Sequence, residues 1–379
     1  MNQLVRGAVA LSLVSAATLG AQAAAPRDTI ITAPTRAPRT PLPSEAASAK
    51  IKKFSFIAYG DTRGRFDGTA LQVEHGKVVE SMLGTIKQVA GTGDAIRFVV
   101  QSGDAVVNGA LATQLNVSYI PLINRLTQEG NVPYFLTVGN HDAAPSQLAT
   151  RRPDGLHNYF AANANLIPPN SSARRLAGFS AFAFGFGNTF FVAFDSNIPE
   201  DSVQFDWVRK QLEGLNRKRY VNIAVFYHHP AFSSGPHGGP VIEKQAATIR
   251  EKWMPLFRRH HVKLLLTGHE HLFEHWVERY ADASGSHRMD QIVSGGGGAP
   301  LYKYAGEPDL TSYLAAYASE KVSLEHLVRP AADTTGNPYH YVVVHVDGER
   351  ISMEVVGVDW GRGYAPYKSS AVTLDDPRP

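Results

Sequence analysis

The sequence of 379 residues contains no cysteine. Disulfides, thiolate metal ligands and a lipid-modified cysteine are therefore excluded together, and any metal must be held by oxygen and imidazole ligands. The sequence also lacks an excess of one charge. Its formal net charge of +3 is carried by residues 1–50, so residues 51–379 are neutral. A neutral body gives no reason to expect a nucleic-acid-binding surface.

No apolar run is long enough to span a membrane comfortably. The run at residues 8–20, AVALSLVSAATLG, follows Arg6 and precedes the small residues AQAAAP. This order is typical of an export signal cleaved after Ala23 or Ala25. We therefore expect residues 1–25 to be a signal peptide, the protein to be periplasmic or secreted, and the mature chain to have no membrane span. An uncleaved anchor or a disordered apolar tail is the alternative interpretation.

The remaining chain divides into a short linker and one large domain. Residues 26–50 are rich in Pro, Ala, Ser and Thr, which predicts a linker that buries little surface. Residues 51–379 form the predicted domain, and the hydrophobic fraction of 44% is enough for a sizeable core. The sequence does not predict an oligomeric state.

Apolar runs alternate with helical patterns through most of this domain. The strand-like runs are residues 54–60, 96–103, 132–139, 190–196, 220–229 and 262–271. The helical candidates between them are residues 73–90, 115–129, 201–216 and 241–260. Near-continuous apolar strands are typical of a sheet covered on both faces, so the alternation predicts a layered α/β fold. Residues 339–359 predict a further hairpin that turns at Asp347-Gly348 and completes the outer part of a sheet.

Five of the six strand-like runs end in the same way, with residues that can bind a metal. The residues at these ends are Asp61, Asp104, Asn140, His141, Asp142, His228, His229, His269 and His271. Glycine precedes four of the five groups and lets the chain turn sharply there. Ligand sites of layered α/β folds lie beyond the carboxyl ends of the strands, so these side chains are expected to meet at one edge.

Each group has an ordinary explanation when taken alone. A Gly-Asp pair after a strand is usual in turns, and the Asn-His-Asp triplet suits a turn with local backbone hydrogen bonds. The His-His-Pro segment suits a buried strand end with one hydrogen-bonded imidazole. His269 and His271 are a stronger signal, because alternate residues of an extended segment point the same way. The coincidence of all groups at strand ends favours a shared metal site.

In this order, the five groups resemble the calcineurin-like metallophosphoesterases, and among them the exported purple acid phosphatase-like members. The resemblance covers residues 54 to about 300. It implies a four-layer α/β/β/α sandwich of the metallophosphoesterase type with two metal ions at the sheet edge. It also implies a phosphoric ester hydrolase that acts on a small phosphate ester, a phosphomonoesterase using a metal-bridging hydroxide.

The resemblance also assigns roles to the residues. Asp104 bridges the two ions. One ion is completed by Asn140, His228 and His269, and the other by Asp61 and His271. His141 stands beside the leaving group as a proton donor, and Asp142 orients it.

Two departures from the family pattern concern the first ion, which Asp61 and His271 would hold. Family members often have His where this chain has Arg63, and purple acid phosphatases have Tyr where it has Val107. We therefore expect unequal affinities for the two ions and no purple colour, with Asn108 or water as candidates to fill the gap. Oxygen and nitrogen ligands suit Mn, Fe or Zn without choosing among them.

Arg63 itself has two interpretations. A guanidinium aimed into the site would bind a phosphate oxygen, whereas the alternative is a structural ion pair or a surface residue. The loop that carries His237 is expected to be solvated, with substrate contact as the alternative. The basic residues 258–261 are explained by favourable charge at a helix end, and residues 295–298 by a tight loop under the site.

Two other functions stay open at the level of sequence. One is a phosphodiesterase acting on nucleotides or phospholipid headgroups. The other is a catalytically weak protein that binds metal and phosphate. Arg63 and Val107 motivate the second, whereas His141 and Asp142 count against it.

Overall fold

Two β-sheets lie face to face in the computed structural model, which describes residues 28, 30–64, 72–143, 156–358 and 372–373. The predicted signal peptide therefore lies outside the described residues. In chain order the strands are β1 (Lys53–Tyr59), β2 (Ile96–Gln101), β3 (Tyr134–Leu136), β4 (Phe182–Phe186), β5 (Thr189–Ala193), β6 (Asn222–Phe226), β7 (Leu264–Thr267), β8 (Phe273–Asp282), β9 (Gly285–Ser294), β10 (Ser323–Val328), β11 (Tyr339–Asp347), β12 (Arg350–Val358) and β13 (Val372–Thr373).

Helices connect many of these strands. They are Glu45–Ser48, Val73–Val89, a continuous segment made of Ala112–Gln114, Leu115–Tyr119 and Ile120–Gln128, then His157–Ala162, Ser202–Glu213, a second continuous segment made of Lys244–Thr248, Ile249–Trp253 and Met254–Arg259, and Thr311–Ala316. The parts Leu115–Tyr119 and Ile249–Trp253 are single π-helical turns. All four predicted helices are therefore confirmed, with bounds shifted by a few residues.

Strand order brings the expected ligands to one edge. The first sheet has the order β13-β12-β11-β1-β2-β3, and the second has the order β10-β8-β9-β7-β6-β5-β4. In the first sheet β1, β2 and β3 are parallel. In the second, β5, β6, β7 and β9 are parallel. Parallel neighbours end at the same side, so the segments after β1, β2, β6 and β7 are placed together.

Aromatic side chains fill the space between the two sheets. Alternate residues of β1, Phe54 and Phe56, point into this layer and are buried. Phe135 of β3 stacks on Phe184 of β4 with ring centroids 4.2 Å apart. The intervening residues of β1 point to the opposite face, where Ile57 is buried against helices. Both faces of the strand are therefore covered, which explains its continuous apolar sequence.

Helices cover the outer face of each sheet. Val78 and Met82 of the helix Val73–Val89 pack in the core outside the first sheet, with residues of the segment 112–128. Val208 of the helix Ser202–Glu213 and Trp253 of the segment 244–259 pack outside the second sheet. The resulting order of helices, sheet, sheet and helices confirms the α/β/β/α sandwich.

The predicted C-terminal hairpin is also confirmed. β11 pairs antiparallel with β12 from Tyr339 opposite Val358 to Asp347 opposite Arg350, and β11 continues the first sheet beside β1. The hairpin of β8 and β9, which pairs from Phe273 opposite Ser294 to Asp282 opposite Gly285, was not predicted. It widens the second sheet beyond β7.

The domain limits stay a prediction, but the described part of residues 26–50 lies against the body. Thr35 is buried, and its backbone N–H and hydroxyl both donate to the carbonyl oxygen of Ala162. Glu45 forms an ion pair with Arg174, with Oε1 2.8 Å from Nε. Most other residues of this segment are exposed. Within the described ranges, no helix combines the length and the apolar character needed to cross a membrane.

Candidate metal centre

Three of the predicted ligands have an unusual backbone conformation. Asp61 after β1 and Asp104 after β2 have φ angles of 58° and 57°, and His269 after β7 has a φ of 70°. Left-handed conformations cost non-glycine residues roughly 1 kcal/mol or more and concentrate at functional sites. The surrounding contacts must therefore hold these turns, and Gly103 shows how tightly. A Cβ atom there would lie 2.6 Å from the backbone nitrogen of Gly139.

Four potential ligand atoms converge between the ends of β2, β3, β6 and β7. Asn140 Oδ1 lies 2.9 Å from His228 Nε2 and 3.1 Å from His269 Nδ1. The two imidazole nitrogens are 3.1 Å apart, and Asp104 Oδ1 is 3.3 Å from His228 Nε2. Atoms bound at about 2.1 Å to one ion lie roughly 3.0–3.4 Å from one another. The observed spacings fit a single ion held by these residues.

In His228 and in His269, the ring nitrogen that points away from the centre is hydrogen-bonded, so the other nitrogen faces the centre. His228 Nδ1 donates to the carbonyl of Ser102 at 3.0 Å, and His269 Nε2 donates to Glu243 Oε2 at 3.0 Å. Both rings therefore present a lone pair to the oxygens of Asn140 and Asp104. Lone pairs that face one another without a proton repel, so the arrangement calls for a cation.

The other predicted ion position is less complete. His271 Nδ1 donates to the carbonyl of Pro300 at 2.7 Å, which leaves its Nε2 facing Asp61 Oδ1 at 3.5 Å. Asp61 Oδ1 is buried and has no hydrogen-bond partner among the described residues. Tyr302 stacks on His271 with ring centroids 4.0 Å apart and fixes that ring. Asp61 and His271 thus offer two ligand atoms beside Asp104.

Arg63 lies next to the ion position formed by Asp61 and His271, and it is almost completely buried. Its Nε is 3.6 Å from Asp104 Oδ2 and has no hydrogen-bond partner in the described parts of the chain. The interpretation as a surface residue is therefore wrong. A fixed positive charge occupies the side of Asp104 that faces the less complete ion position.

The pKa shifts of buried groups around the centre also indicate that a positive charge is needed there. Burial and the neighbouring Asp104 raise the pKa of Asp61 well above its ordinary value. The same two causes raise the pKa of Asp142 to about 7. Burial and the neighbouring His269 lower the pKa of His228 well below its usual range. Divalent cations favour ionised carboxylates and neutral imidazoles, so the residues present fit a metal centre.

One expected role is corrected. Asp142 does not orient His141: its Oδ2 accepts from the backbone N–H of Asp104 at 2.7 Å and of Gly139 at 2.8 Å, and its Oδ1 accepts from Ala105 at 2.7 Å. The carboxylate therefore shapes the turn that carries Asp104. The His141 ring is held by Val107 instead, because its Nδ1 lies 2.7 Å from that carbonyl oxygen. The Nε2 of His141 faces the site, 4.0 Å from Asp104 Oδ2.

Asn108 does not fill the gap that we expected at the less complete ion position. Its Oδ1 accepts from the backbone N–H of Ala110 at 3.0 Å, and its own N–H donates to Gln114. The side chain is thus used in a local turn. The glycines at 295–298 form the expected tight loop beneath the site, where Gly297 donates to the carbonyl of Gly60 and Ala299 donates to that of Asp61.

A cavity of about 310 Å³ opens above these residues. It is lined by Arg63, Asp104, Asn140, His141, His229, His237, Glu243, Gln245, His269, His271 and Tyr302. The solvated-loop interpretation of His237 is therefore wrong, since its side chain is only 34% exposed and faces the cavity. Its Nδ1 lies 2.8 Å from Glu243 Oε1, and this hydrogen bond raises the pKa of His237.

Sequence reasoning missed the residues that position the ligands. Glu243 lies at the end of the loop that also carries His237 and connects His237 with His269, and no local motif marks it. Ser196 Oγ accepts from the backbone N–H of both His228 and His229, and it lies 2.9 Å from His229 Nδ1. His229 Nδ1 is thus engaged by Ser196, while the His229 ring lines the cavity beside Glu243 and His269, with which it forms another group of potential metal ligands.

Comparison with known proteins agrees with this geometry. The model of the family described as calcineurin-like phosphoesterase matches residues 54–273. No curated protein sequence matches the chain. A purple acid phosphatase from yellow lupin (Lupinus luteus) seeds is similar in structure, with a TM-score of 0.59 and 15% identity over 86% of this chain. The similar region spans 54% of the lupin protein, so this chain corresponds to about half of it.

A second similar structure is that of GAP50, described as the anchor in the inner membrane complex of Plasmodium. It has a TM-score of 0.50 and 15% identity, and the similarity covers 82% of this chain and 86% of GAP50. At such identities the structures establish the fold, and the residues of the site must carry the argument about function.

Proposed function

This chain belongs to the calcineurin-like phosphoesterase family, and from that membership and its site we propose that it hydrolyses phosphate monoesters with the help of two metal ions. One observation carries the proposal: the lone pairs of Asp104, Asn140, His228 and His269 converge at 2.9–3.3 Å. Asp61 and His271 would hold the other ion, with Asp104 as the ligand that both ions would share.

When bound, such ions act as Lewis acids and supply a hydroxide nucleophile near neutral pH. The chain holds them through carboxylate, amide and imidazole groups, which suit Mn, Fe or Zn. The hydrogen bonds from His228 to Ser102 and from His271 to Pro300 fix the outer ring protons. These bonds keep the inner nitrogens available as ligands.

Two positively charged side chains are placed to bind the phosphoryl oxygens. Arg63 lines the cavity with its guanidinium close to Asp104, and a guanidinium can hold two phosphate oxygens at once. His237 lines the same cavity, and its hydrogen bond with Glu243 favours the protonated ring. The charge of Arg63 is present before the substrate arrives, and both side chains already line the cavity, so they need little rearrangement to stabilise the developing negative charge.

His141 is the proton donor in this proposal. Its Nδ1–H is used by the Val107 carbonyl, so in the imidazolium form the second proton lies on Nε2, which faces the cavity. Transfer of that proton to the departing oxygen neutralises the leaving alkoxide or phenoxide. General acid catalysis of this kind contributes roughly 10²–10⁴ in rate.

A matched pair of substrates tests the proposal. The rates at which the full chain hydrolyses an aryl phosphate and the corresponding bis-aryl phosphate are measured twice, once with added Mn²⁺ and once after removal of metal by a chelator. We expect metal-dependent turnover that is faster with the monoester. Faster turnover of the diester would indicate a phosphodiesterase instead of a monoesterase. Absence of turnover in metal-loaded protein would indicate a protein that binds metal and phosphate without hydrolysing the ester.

Asp104→Asn serves as the control for the centre itself. It removes one negative charge while keeping the shape of the side chain, and we expect loss of both metal and activity. If the variant keeps full activity, the bridging role of Asp104 is wrong.

Export is a separate part of the proposal. It rests on the pattern of residues 1–25, with its short basic end, apolar stretch and small residues at 21–25. N-terminal sequencing of the protein recovered from the periplasmic or extracellular fraction tests it. A mature chain that begins at Ala24 or Pro26 would support cleavage, and an intact Met1 would contradict it.

A further inference from the structure

A second cluster of potential metal ligands lies far from the proposed active site. His261 precedes β7, Asp282 ends β8 and His287 lies in β9. Strand β7 runs from this cluster towards His269, and β9 is parallel to it with Leu264 opposite Asp290. At about 3.3 Å per residue of strand, the cluster and the active site are on the order of 20 Å apart. They therefore occupy opposite ends of the second sheet.

The three side chains point at one another. His261 Nε2 is 2.8 Å from Asp282 Oδ2, and His287 Nε2 is 2.9 Å from Asp282 Oδ1. The two rings are stacked, with centroids 4.0 Å apart and planes inclined by 16°. Their ligand atoms all lie within 4.8 Å of one another. Each oxygen of the Asp282 carboxylate is therefore paired with one imidazole, and two nitrogens and a carboxylate are gathered at one point of the surface.

The carboxylate is fixed in place by its own turn. Asp282 Oδ1 accepts from the backbone N–H of Ser284 at 2.7 Å and from its hydroxyl at 2.6 Å. This turn joins β8 to β9 and sets the distance between Asp282 and His287. His261 reaches the same point from the end of the preceding helix through a left-handed backbone with a φ of 51°. Two separate backbone segments, the helix end and the hairpin, thus bring their ligand atoms together.

The cluster is accessible to ions from solvent. The side chains of His261 and Asp282 are 36% and 39% exposed, and that of His287 is 20% exposed. Favourable charge at the helix end, which we expected to explain His261 from the sequence, leaves these contacts unexplained. Two nitrogens and one oxygen form a donor set that suits borderline divalent ions and does not suit Ca²⁺ or Mg²⁺, which prefer oxygen.

We propose that His261, Asp282 and His287 form a separate binding site for a zinc-like divalent ion. Each imidazole binds through Nε2 after its proton moves to Nδ1, and the carboxylate supplies the third ligand. Water completes the tetrahedral shell. The ion links the helix end to the tip of the hairpin β8–β9, so its role is structural. The site does not depend on the function proposed for the chain.

Zinc titration of the full chain, with the active-site positions already loaded, tests the site. Calorimetry and metal analysis after gel filtration count the ions bound per chain. We expect His287→Ala and Asp282→Asn each to lose one zinc ion relative to the unsubstituted chain. His157→Ala, which removes another exposed imidazole, is expected to keep it.

Two further measurements make the outcome unambiguous. Co²⁺ placed in the site should give the intense visible absorption of a tetrahedral ion, and Asp282→Asn should abolish it. Hydrolysis of an aryl phosphate should be unchanged in both variants, which separates this site from the active centre. If both variants bind as many zinc ions as the unsubstituted chain, with equal affinity, the cluster is only a surface hydrogen-bond network and the proposal is wrong.

Discussion

Replacement of Arg63 by Gln should strengthen metal binding at the position formed by Asp61 and His271. The guanidinium Nε lies 3.6 Å from Asp104 Oδ2. An ion bonded to that oxygen at about 2.1 Å is therefore at most about 5.7 Å from the positive charge. Gln is shorter than Arg, but it removes the charge and keeps a polar group at the position of the Arg63 Nε, so the expected change comes mainly from lost repulsion.

The size of the change follows from this distance. Charges of +1 and +2 at about 5.7 Å repel each other by about 1.5 kcal/mol with the permittivity of water, and by about 6 kcal/mol with an effective permittivity of 20. The smaller value corresponds to about a tenfold gain in affinity. We therefore expect Arg63→Gln to bind the weaker ion at least tenfold more tightly.

Calorimetric titration of chelator-stripped protein with Mn²⁺ separates the two binding steps. His271→Ala identifies the step that belongs to the position beside Arg63, because it should abolish that step alone. Arg63→Lys keeps the positive charge and should leave the affinity close to that of the unsubstituted chain. Equal affinities in Arg63→Gln and Arg63→Lys would refute the electrostatic reasoning, even if both differ from the original.

Three further predictions concern the same centre. His141→Asn should lower kcat roughly 10²–10⁴-fold while the metal content stays constant, and loss of metal would make His141 a ligand. Glu243→Gln should weaken metal binding through His269 roughly 10–100-fold in competition with a chelator, because the ring loses its charged acceptor; unchanged affinity would contradict that role. In chelated protein, burial raises the pKa of Asp142 to about 7 from an unfolded value of 3.8. Folding then retains a proton that unfolding releases, so stability should fall as the pH rises from about 4 to about 7, by an amount on the order of 2–4 kcal/mol. Urea unfolding across this range should lose the slope when Mn²⁺ is added, and a slope of opposite sign would contradict the assignment.

The parts of the fold that could be predicted are those with a local signal. The strand β1 reads as apolar because both of its faces are covered, and the turn at Asp347-Gly348 has the residues that such a turn needs. The hairpin of β8 and β9 gave no such signal. Its inner residues include Glu274, His275 and Asp290, which are buried through hydrogen bonds to Ser234, to each other and to Arg288. A strand that buries paired polar groups does not show an apolar pattern.

That the candidate ligands lie at one sheet edge could be predicted for a different reason, because each of them follows a recognisable strand. The groups that position them could not, because their partners are distant in the chain. Glu243 reaches His269 across 26 residues, and Ser196 reaches His228 across 32. The prediction that Asp142 orients His141 failed for the same reason, because it assumed that residues adjacent in sequence are bonded to each other. The Asp142 carboxylate instead accepts hydrogen bonds from backbone N–H groups that are 37 and 38 residues away in the chain.

The backbone conformation of the candidate ligands is a second and independent argument that this site binds cations. Asp61, Asp104 and His269 adopt costly left-handed conformations, and Asp61 has a buried oxygen that no described residue supplies with a hydrogen-bond donor. Either feature destabilises a protein that has only its own contacts to offset it. A bound ion compensates for both, since its binding free energy adds to folding. Removal of metal should therefore lower the melting temperature of the whole domain, and Asp61→Asn should reduce that difference because the orphaned charge is gone. Equal melting temperatures with and without metal would show that the fold tolerates this geometry for another reason.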